Sequence, residues 1–588
     1  VDRDNAAMAS DPAVRSLLDH VGWCRSLGPS ERDRLATEAG HREIPAGGQL
    51  FAAGSAPDAV YVVLGGLFGA FAPDREALLG RLGVGETIGA TGLITGHARS
   101  ATVRALRDSE VLSIHRTTFE RLGATHPDVW RALAAEAIAR AGIPEAARQH
   151  SGPRILALLP QHDGIDLGAV ARGMRAAMAL HGPATTIDRA QGERLDAAGW
   201  HAIDRADGHV ILLGERGQPV WNALVRAHAD VLAYVARDGH EPAPDAETGG
   251  MPPAPGFRAE HVVLLHDRAA APGAARRWRA RRRGARVHHV VDSHDLARVA
   301  RLAFGCSVNL VLSGGGARGF AHLGVIRALR EAAVPIDTVG GSSIGAVIGA
   351  GLAAGWTDDE LMQRFRASFA RQRLLGDLTL PLVALTAGRR ATQVLRSLFG
   401  SLEVDDLRLP FLATTTDLAP GRLEIAEDGV LWQRLRAATA LPGVLPPVFA
   451  EGAVRVDGGL VDNLPVLAMR QRFPGTTIAV DIRTDYAVAA GVEEYELPGL
   501  WRMLREWIAG RRRPSLVRIL LRAGTINSEA SAQAARAAAD LVIAPPLREV
   551  DLLDWSRFDE VVEAGHAHAR RVLAHRQPGW WHRHACLD

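Results

Sequence analysis

The chain contains no lysine: all 68 basic residues among its 588 are arginine. That excludes a phosphate-loop lysine, a Schiff-base lysine and a serine–lysine dyad. Cysteine is scarce too. Cys24, Cys306 and Cys586 lie too far apart for a disulfide framework, which points to a reducing cytoplasm. Long apolar runs are missing; the longest uncharged stretch, Ile344 to Trp356, is glycine-rich and too short to cross a bilayer. The opening residues Val1-Asp2-Arg3-Asp4 show no basic-then-apolar leader pattern. A formal net charge of +2 gives no bulk pull on nucleic acid, and no nucleic-acid partner is expected. These absences place the chain in the cytoplasm, soluble or peripheral to the inner face of the plasma membrane. No metal is expected either: His575, His582, His584 and Cys586 read as a frayed terminus.

What is present is ordinary globular material, 47% apolar and 23% charged, enough for several domains. Residues 1–147 read as short strands with glycine turns, closed by a helix from His126 to Ala141. That is the pattern of a small β-barrel or jelly roll. Before it, Asp11 to Leu27 is amphipathic and Ser30 reads as the cap of a second short helix. Residues 148–304 alternate apolar strands with helical text. Arg154–Leu159, His209–Gly214, Val231–Ala236, His261–His266 and Val287–Val291 are the strands of an α/β linker domain. Seven arginines around Trp278, between Arg276 and Arg286, read as a solvated helix face, ahead of the alternative of a site for acidic phospholipid or nucleic acid.

From Val308 the text changes. A buried strand, Val308 to Leu312, runs into Gly314-Gly315-Gly316-Ala317-Arg318-Gly319 and then a helix. Backbone N–H groups at such a turn are aimed at an anion. The same glycines match a dinucleotide fingerprint, but that reading needs an acid after the next strand, and Asp337 precedes it. Gly341-Ser342-Ser343-Ile344-Gly345 follows that strand as Gly-x-Ser-x-Gly, with the flanking glycines allowing the tight turn that presents Ser343 at a helix N-terminus. An anion-stabilising loop beside a nucleophile is the layout of acyl transfer. Downstream, Val456-Asp457-Gly458-Gly459 supplies an acid at a strand end.

Glycine loop, serine motif and Asp-Gly-Gly, in this order, resemble patatin-like phospholipases over residues 305–485, a three-layer α/β hydrolase core. Further agreement comes from Ala321-His322-Leu323-Gly324, Ala413 to Leu418 and Leu441 to Pro447. The resemblance implies Ser343 as nucleophile and Asp457 as base in a dyad without histidine. It implies an oxyanion hole drawn from Gly314, Gly315, Gly316 and Ala317, a basic residue at Arg318, and no cofactor. A rival triad is Ser343, Asp457 and His566. The cassette Gly85 to Ala105 resembles a cyclic-nucleotide-binding domain, with Gly89, Arg99 and Ser100 where that family holds the cyclic phosphate. Ala90 stands where it has a ribose-binding glutamate, so cyclic nucleotide as a ligand stays open.

The whole order resembles bacterial relatives of the neuropathy target esterase family, which implies hydrolysis of phospholipid or lysophospholipid acyl esters. A non-catalytic cyclic-nucleotide-sensing or lipid-sensing module is the competing class. Residues 486–588 read as a C-terminal extension of the hydrolase. Within it Pro498 to Ala509, followed by Arg511-Arg512-Arg513, fits equally a membrane-surface helix and one packed on the core.

Overall fold

The computed structural model describes residues 18, 21–73, 78–142, 153–196, 199–200, 202–203, 208–240, 259–267, 273–282, 284–370, 376–380, 382–482, 498–499, 501–503, 505, 528–552 and 554–582. The chain divides into two compact units, one built chiefly from Val1–Arg268 and Arg277–Cys306, the other from Ser307–His584.

The first unit opens with two antiparallel four-stranded sheets. One runs in the order Gly40–Ile44, Ser109–His115, Ala59–Gly65, Thr87–Ile88, and the other Gln49–Phe51, Thr102–Ala105, Phe68–Phe71, Leu78–Leu82. The Ala59–Gly65 strand is buried along its whole length because both of its faces meet apolar side chains. The leading helix begins at Pro29 with Gly28 at its cap, so Ser30 lies inside it and caps nothing. Of the amphipathic stretch Asp11 to Leu27, Gly22–Ser26 is a 3-10 helix, and most of the rest lies outside the described residues.

Six parallel strands follow, in the order Ala184–Ile187, His209–Leu213, Ile155–Pro160, Val231–Arg237, Ala259–Leu265, Arg286–Val290. Five of them coincide with the apolar runs read from sequence. The sixth, Ala184–Ile187, has no fully buried residue and gives almost no apolar signal. The arginine-rich helix is not a simple solvated face. Trp278 is buried in a small core with Val262 and Leu264, and the Arg282 guanidinium lies 3.5 Å from the centre of the Tyr234 ring. Cys24 and Cys306 are buried thiols of this unit and form no disulfide.

The second unit is a mixed eight-stranded sheet. Its strands are β1 (Ser307–Leu312), β2 (Thr338–Ser342), β3 (Phe411–Asp417), β4 (Arg422–Ala426), β5 (Val448–Ala450), β6 (Ala453–Asp457), β7 (Gly475–Val480) and β8 (Leu541–Ile543). They run β5-β6-β3-β2-β1-β7-β8, with β4 also paired to β3. Strands β3, β2, β1, β7 and β8 are parallel. Their near-continuous apolar text follows from cover on both faces. The helices used below are α1 (Phe320–Glu331), α2 (Ile344–Ala353), α3 (Arg389–Phe399), α4 (Leu431–Ala438) and α5 (Phe558–Ala574). Residues from the C-terminal stretch, including Leu541, Phe558 and Val561, share one core with β1, α1 and α2. Helices α1 and α5 pack backbone to backbone. A Cβ on Gly324 would lie 2.0 Å from the Val562 carbonyl oxygen, and one on Gly565 would lie 2.2 Å from that of Ala321. Among the described residues, no helix is long and apolar enough to cross a membrane.

Candidate active site

Parallel pairing places the two glycine-rich turns together. Leu312, at the end of β1, is in register with Gly341 on β2, so both strands deliver their carboxyl ends to one place. The chain leaving β1 forms the glycine loop and the chain leaving β2 forms the Ser343 turn. Gly314 passes so close that a Cβ on it would sit 2.9 Å from Cβ of Ser343.

Ser343 is forced into a left-handed conformation, φ 53° and ψ −126°, as the cap of α2. A non-glycine residue at such φ is strained, and the surrounding sheet and helix hold it there. Gly345 tolerates the turn because a Cβ there would come within 2.3 Å of the Leu312 carbonyl oxygen. The Ser343 hydroxyl thereby stands at the positive end of a helix.

Asp457 reaches the same point through β3. Thr414 pairs with Ser342 on β2, and the next residue, Thr415, pairs with Asp457 on β6. Strand β4 occupies the opposite edge of β3 over these residues, so β2 and β6 follow one another along a single edge. The carboxylate of Asp457 is 3% exposed, accepts a hydrogen bond from the Gly459 N–H at 2.9 Å, and has the Ser343 hydroxyl near enough to favour its charged form. Burial pushes its pKa up to about 6, against the pull of those two donors.

Of the four N–H groups expected at the oxyanion hole, two are committed elsewhere. Gly314 donates to the Asn463 carbonyl at 3.3 Å and Ala317 to that of Leu552 at 2.7 Å. Gly315 and Gly316 lead the 3-10 turn Gly316–Gly319, where N–H groups have no acceptor within the helix. Both are partly exposed, as is Ser343, while Gly314, Ala317, Arg318 and Gly319 are buried. Arg318 is a clamp: its Nε donates to the Val550 carbonyl at 2.7 Å. The loop is thus stapled to residues 550–552, far along the chain.

Asn463 was not singled out from sequence. Its Nδ2 donates to the Gly314 carbonyl at 3.1 Å while its own carbonyl accepts from Gly314 N–H, tying the glycine loop to the turn that follows Asp457. Gly458 and Gly459 begin that turn as a short 3-10 helix capped by Asp457. The only signal available was its spacing in Asp457-Gly458-Gly459-Leu460-Val461-Asp462-Asn463. Asp337 is buried and accepts from Val308 N–H at 2.9 Å, which gives it a place in the strand and none at a dinucleotide. His566 is not brought to the dyad. It sits on α5, with Nε2 2.8 Å from the Glu331 carboxylate, which removes the Ser343–Asp457–His566 triad.

In the first unit, Gly89 and Arg99 do meet, but not around an open phosphate cradle. The buried Arg99 donates to the carbonyls of Gly89, at 2.9 Å, and of Ala59, and its Cζ lies 4.3 Å from the centre of the Phe51 ring. Ser100 is exposed, and Ala90 is part of the apolar core. His584, Cys586 and Arg511–Arg513 lie outside the described residues, as does half of Pro498 to Ala509.

Comparison with known proteins agrees with this geometry. Residues 310–470 match the patatin-like phospholipase family and residues 41–126 the cyclic nucleotide-binding domain family. An uncharacterized NTE family protein of Mycobacterium tuberculosis is 30% identical over 578 residues, covering 95% of this chain and 96% of that protein. The chain belongs to the NTE family. Other NTE relatives are longer. Lysophospholipase NTE1 of Pyricularia oryzae is 28% identical over 90% of this chain and 42% of its own length. Patatin-like phospholipase domain-containing protein 6 of Homo sapiens is 27% identical over 91% of this chain and 44% of its own. This NTE family chain therefore spans less than half of those two relatives, and carries a cyclic nucleotide-binding domain ahead of a patatin-like phospholipase domain.

Proposed function

We propose that the chain hydrolyses acyl esters of phospholipids or lysophospholipids, with Ser343 as nucleophile and Asp457 as general base. The observation that carries this reading is strand β3 bringing the Ser343 turn and the buried Asp457 carboxylate to successive register positions, beside two N–H groups without helical acceptors. The patatin-like phospholipase match and the names of the two longer relatives support the substrate class.

In the proposed reaction, Ser343 Oγ attacks the ester carbonyl carbon as its proton passes to Asp457. The carbonyl oxygen becomes an oxyanion and is met by the N–H groups of Gly315 and Gly316. When the carbon–oxygen bond to the glycerol breaks, Asp457 returns the proton to the leaving alkoxide. Water then attacks the acyl-serine, losing its proton to Asp457; as the bond to Ser343 Oγ breaks, Asp457 passes that proton to Oγ and the fatty acid leaves. A carboxylate alone can serve as base because burial has raised its proton affinity toward neutrality.

The test is labelling with a fluorophosphonate probe together with fatty-acid release from lysophosphatidylcholine. Label on the wild-type chain at Ser343, absent from Ser343→Ala together with turnover, is the expected result. A wild-type chain that neither labels nor releases fatty acid would overturn the reading in favour of a non-catalytic sensing module.

A further inference from the structure

The second unit carries an apolar projection whose root is tied to the candidate active site. Residues 376–380 and 382–388 fold back on each other through an antiparallel bridge between Leu378 and Thr386. Hydrogen bonds from Thr379 N–H to the Leu385 carbonyl, 3.1 Å, and from Ala387 N–H to that of Asp377, 2.8 Å, fix the turn. The root is anchored. Leu385 N–H donates to Gly443 at 2.9 Å, Thr386 N–H and Oγ1 both donate to the Val444 carbonyl, and Ala384 is buried. The segment carrying Gly443 and Val444 continues from Ala440, whose carbonyl accepts the Asp457 N–H at 3.0 Å.

The outer part faces solvent. Leu378, Leu380, Leu382 and Val383 are 60–89% exposed, and Phe449, three residues beyond Pro446, is 68% exposed. Leaving such side chains in water forgoes the gain of burying them, so a cluster of them marks a surface built to be covered. The adjoining charge is positive: Asp377 caps the start of α3 by accepting from the N–H groups of Arg389 and Arg390, and both arginine side chains are exposed. Aliphatic side chains at a tip with arginines behind them match an anionic lipid surface, with acyl chains receiving the leucines and headgroup phosphates the guanidinium groups.

We infer that the 376–388 projection is the lipid-docking element of the hydrolase unit, seating it on an anionic phospholipid surface beside Ser343. The inference rests on the substrate class proposed above. Docking through this element brings Gly443 and Val444 to the lipid boundary, one short segment from the carboxylate that activates the serine.

The experiment compares the full wild-type chain with Leu380→Glu/Leu382→Glu. It uses co-sedimentation with phosphatidylcholine vesicles containing phosphatidylglycerol, hydrolysis of monomeric p-nitrophenyl butyrate, and size-exclusion chromatography. Vesicle binding should fall at least about tenfold, a conservative figure for two aliphatic side chains, with butyrate hydrolysis unchanged. Undiminished vesicle binding by the variant overturns the inference. So does a dimer that becomes monomeric while vesicle binding persists, which would make this face a contact between copies. If the double variant also loses butyrate hydrolysis, Leu382→Ser and Arg389→Glu decide: each must weaken vesicle binding with the butyrate rate intact. A wild-type chain that binds vesicles through these leucines yet shows no hydrolysis above Ser343→Ala would sink the esterase reading and leave the docking surface standing.

Discussion

Asp457 is asked to do two things that pull apart. As the proposed base it must be ionised, and as a buried group it resists ionisation, with a pKa near 6 against an ordinary 3.8. Hydrolysis of a monomeric ester should therefore rise with pH through about 6 and level off above it. The stability consequence has a definite sign. A folded pKa above the unfolded one means stability that is complete below about 3.8 and is lost as pH rises through 6, on the order of 3 kcal/mol by pH 8. Asp457→Asn should lower turnover by on the order of 10²–10⁴-fold. It should also unfold at a higher temperature than wild type at pH 8, with the gap closing toward pH 4; equal melting at both pH values would contradict the assignment. Asn463→Ala tests the tie between the two turns. It should reduce kcat by roughly tenfold with KM little changed, since the N–H groups at the oxyanion would lose their placement while the lipid-facing surface stays intact. The turns that carry Ser343 and Asp457 were legible in the sequence because their neighbouring glycines are dictated by local geometry. Asn463 was not, because its partner lies 149 residues upstream. The acceptors that occupy Gly314 and Ala317 come from Asn463 and Leu552, which no local pattern could announce.

At the scale of elements, the site depends on one strand edge. Strand β3 holds the end of β2 and then the end of β6 in successive register positions, so the serine turn and the acid are spaced by a single residue step. The helix pair behind the glycine loop is equally constrained. Gly324→Ala places a methyl group 2.0 Å from the Val562 carbonyl oxygen, and the helices must separate to admit it. Denaturant unfolding of the hydrolase unit should show a loss of roughly 1–3 kcal/mol, and an unchanged midpoint would mean that α5 is held loosely. The place of helix α5 against α1 was not legible in the sequence, because the close approach joins residues far apart along the chain. The strand Ala184–Ile187 escaped notice for a related reason: it is short, at a sheet edge, and has no fully buried residue, so its order comes from His209–Leu213 beside it and not from its own text.

At the scale of the molecule, the barrel retains a cyclic-nucleotide-binding fold with an altered site. Arg99 already donates to two carbonyls and lies over a phenyl face, and Ala90 offers nothing to a ribose hydroxyl. Unmet hydrogen bonds of that kind cost a few kcal/mol, or about 10²-fold or more in affinity. Calorimetric titration with cyclic AMP or cyclic GMP should show no binding in the low micromolar range, and a micromolar dissociation constant would require Arg99 to turn outward. The barrel has a second tie within its own unit. Arg107, buried, reaches the His228 carbonyl and lies 3.4 Å from Asp230, whose carboxylate also accepts from the N–H groups that begin the Ile155–Pro160 strand.

The placement of the buried thiols has a practical consequence. Cys24 sits in the barrel core and Cys306 in the core of the parallel α/β sheet, while residues 307–584 contain no cysteine. In a Cys586→Ser chain, alkylation kinetics would time the opening of the first unit alone, residue by residue, and no alkylating reagent would have a thiol to modify beside the serine and its carboxylate.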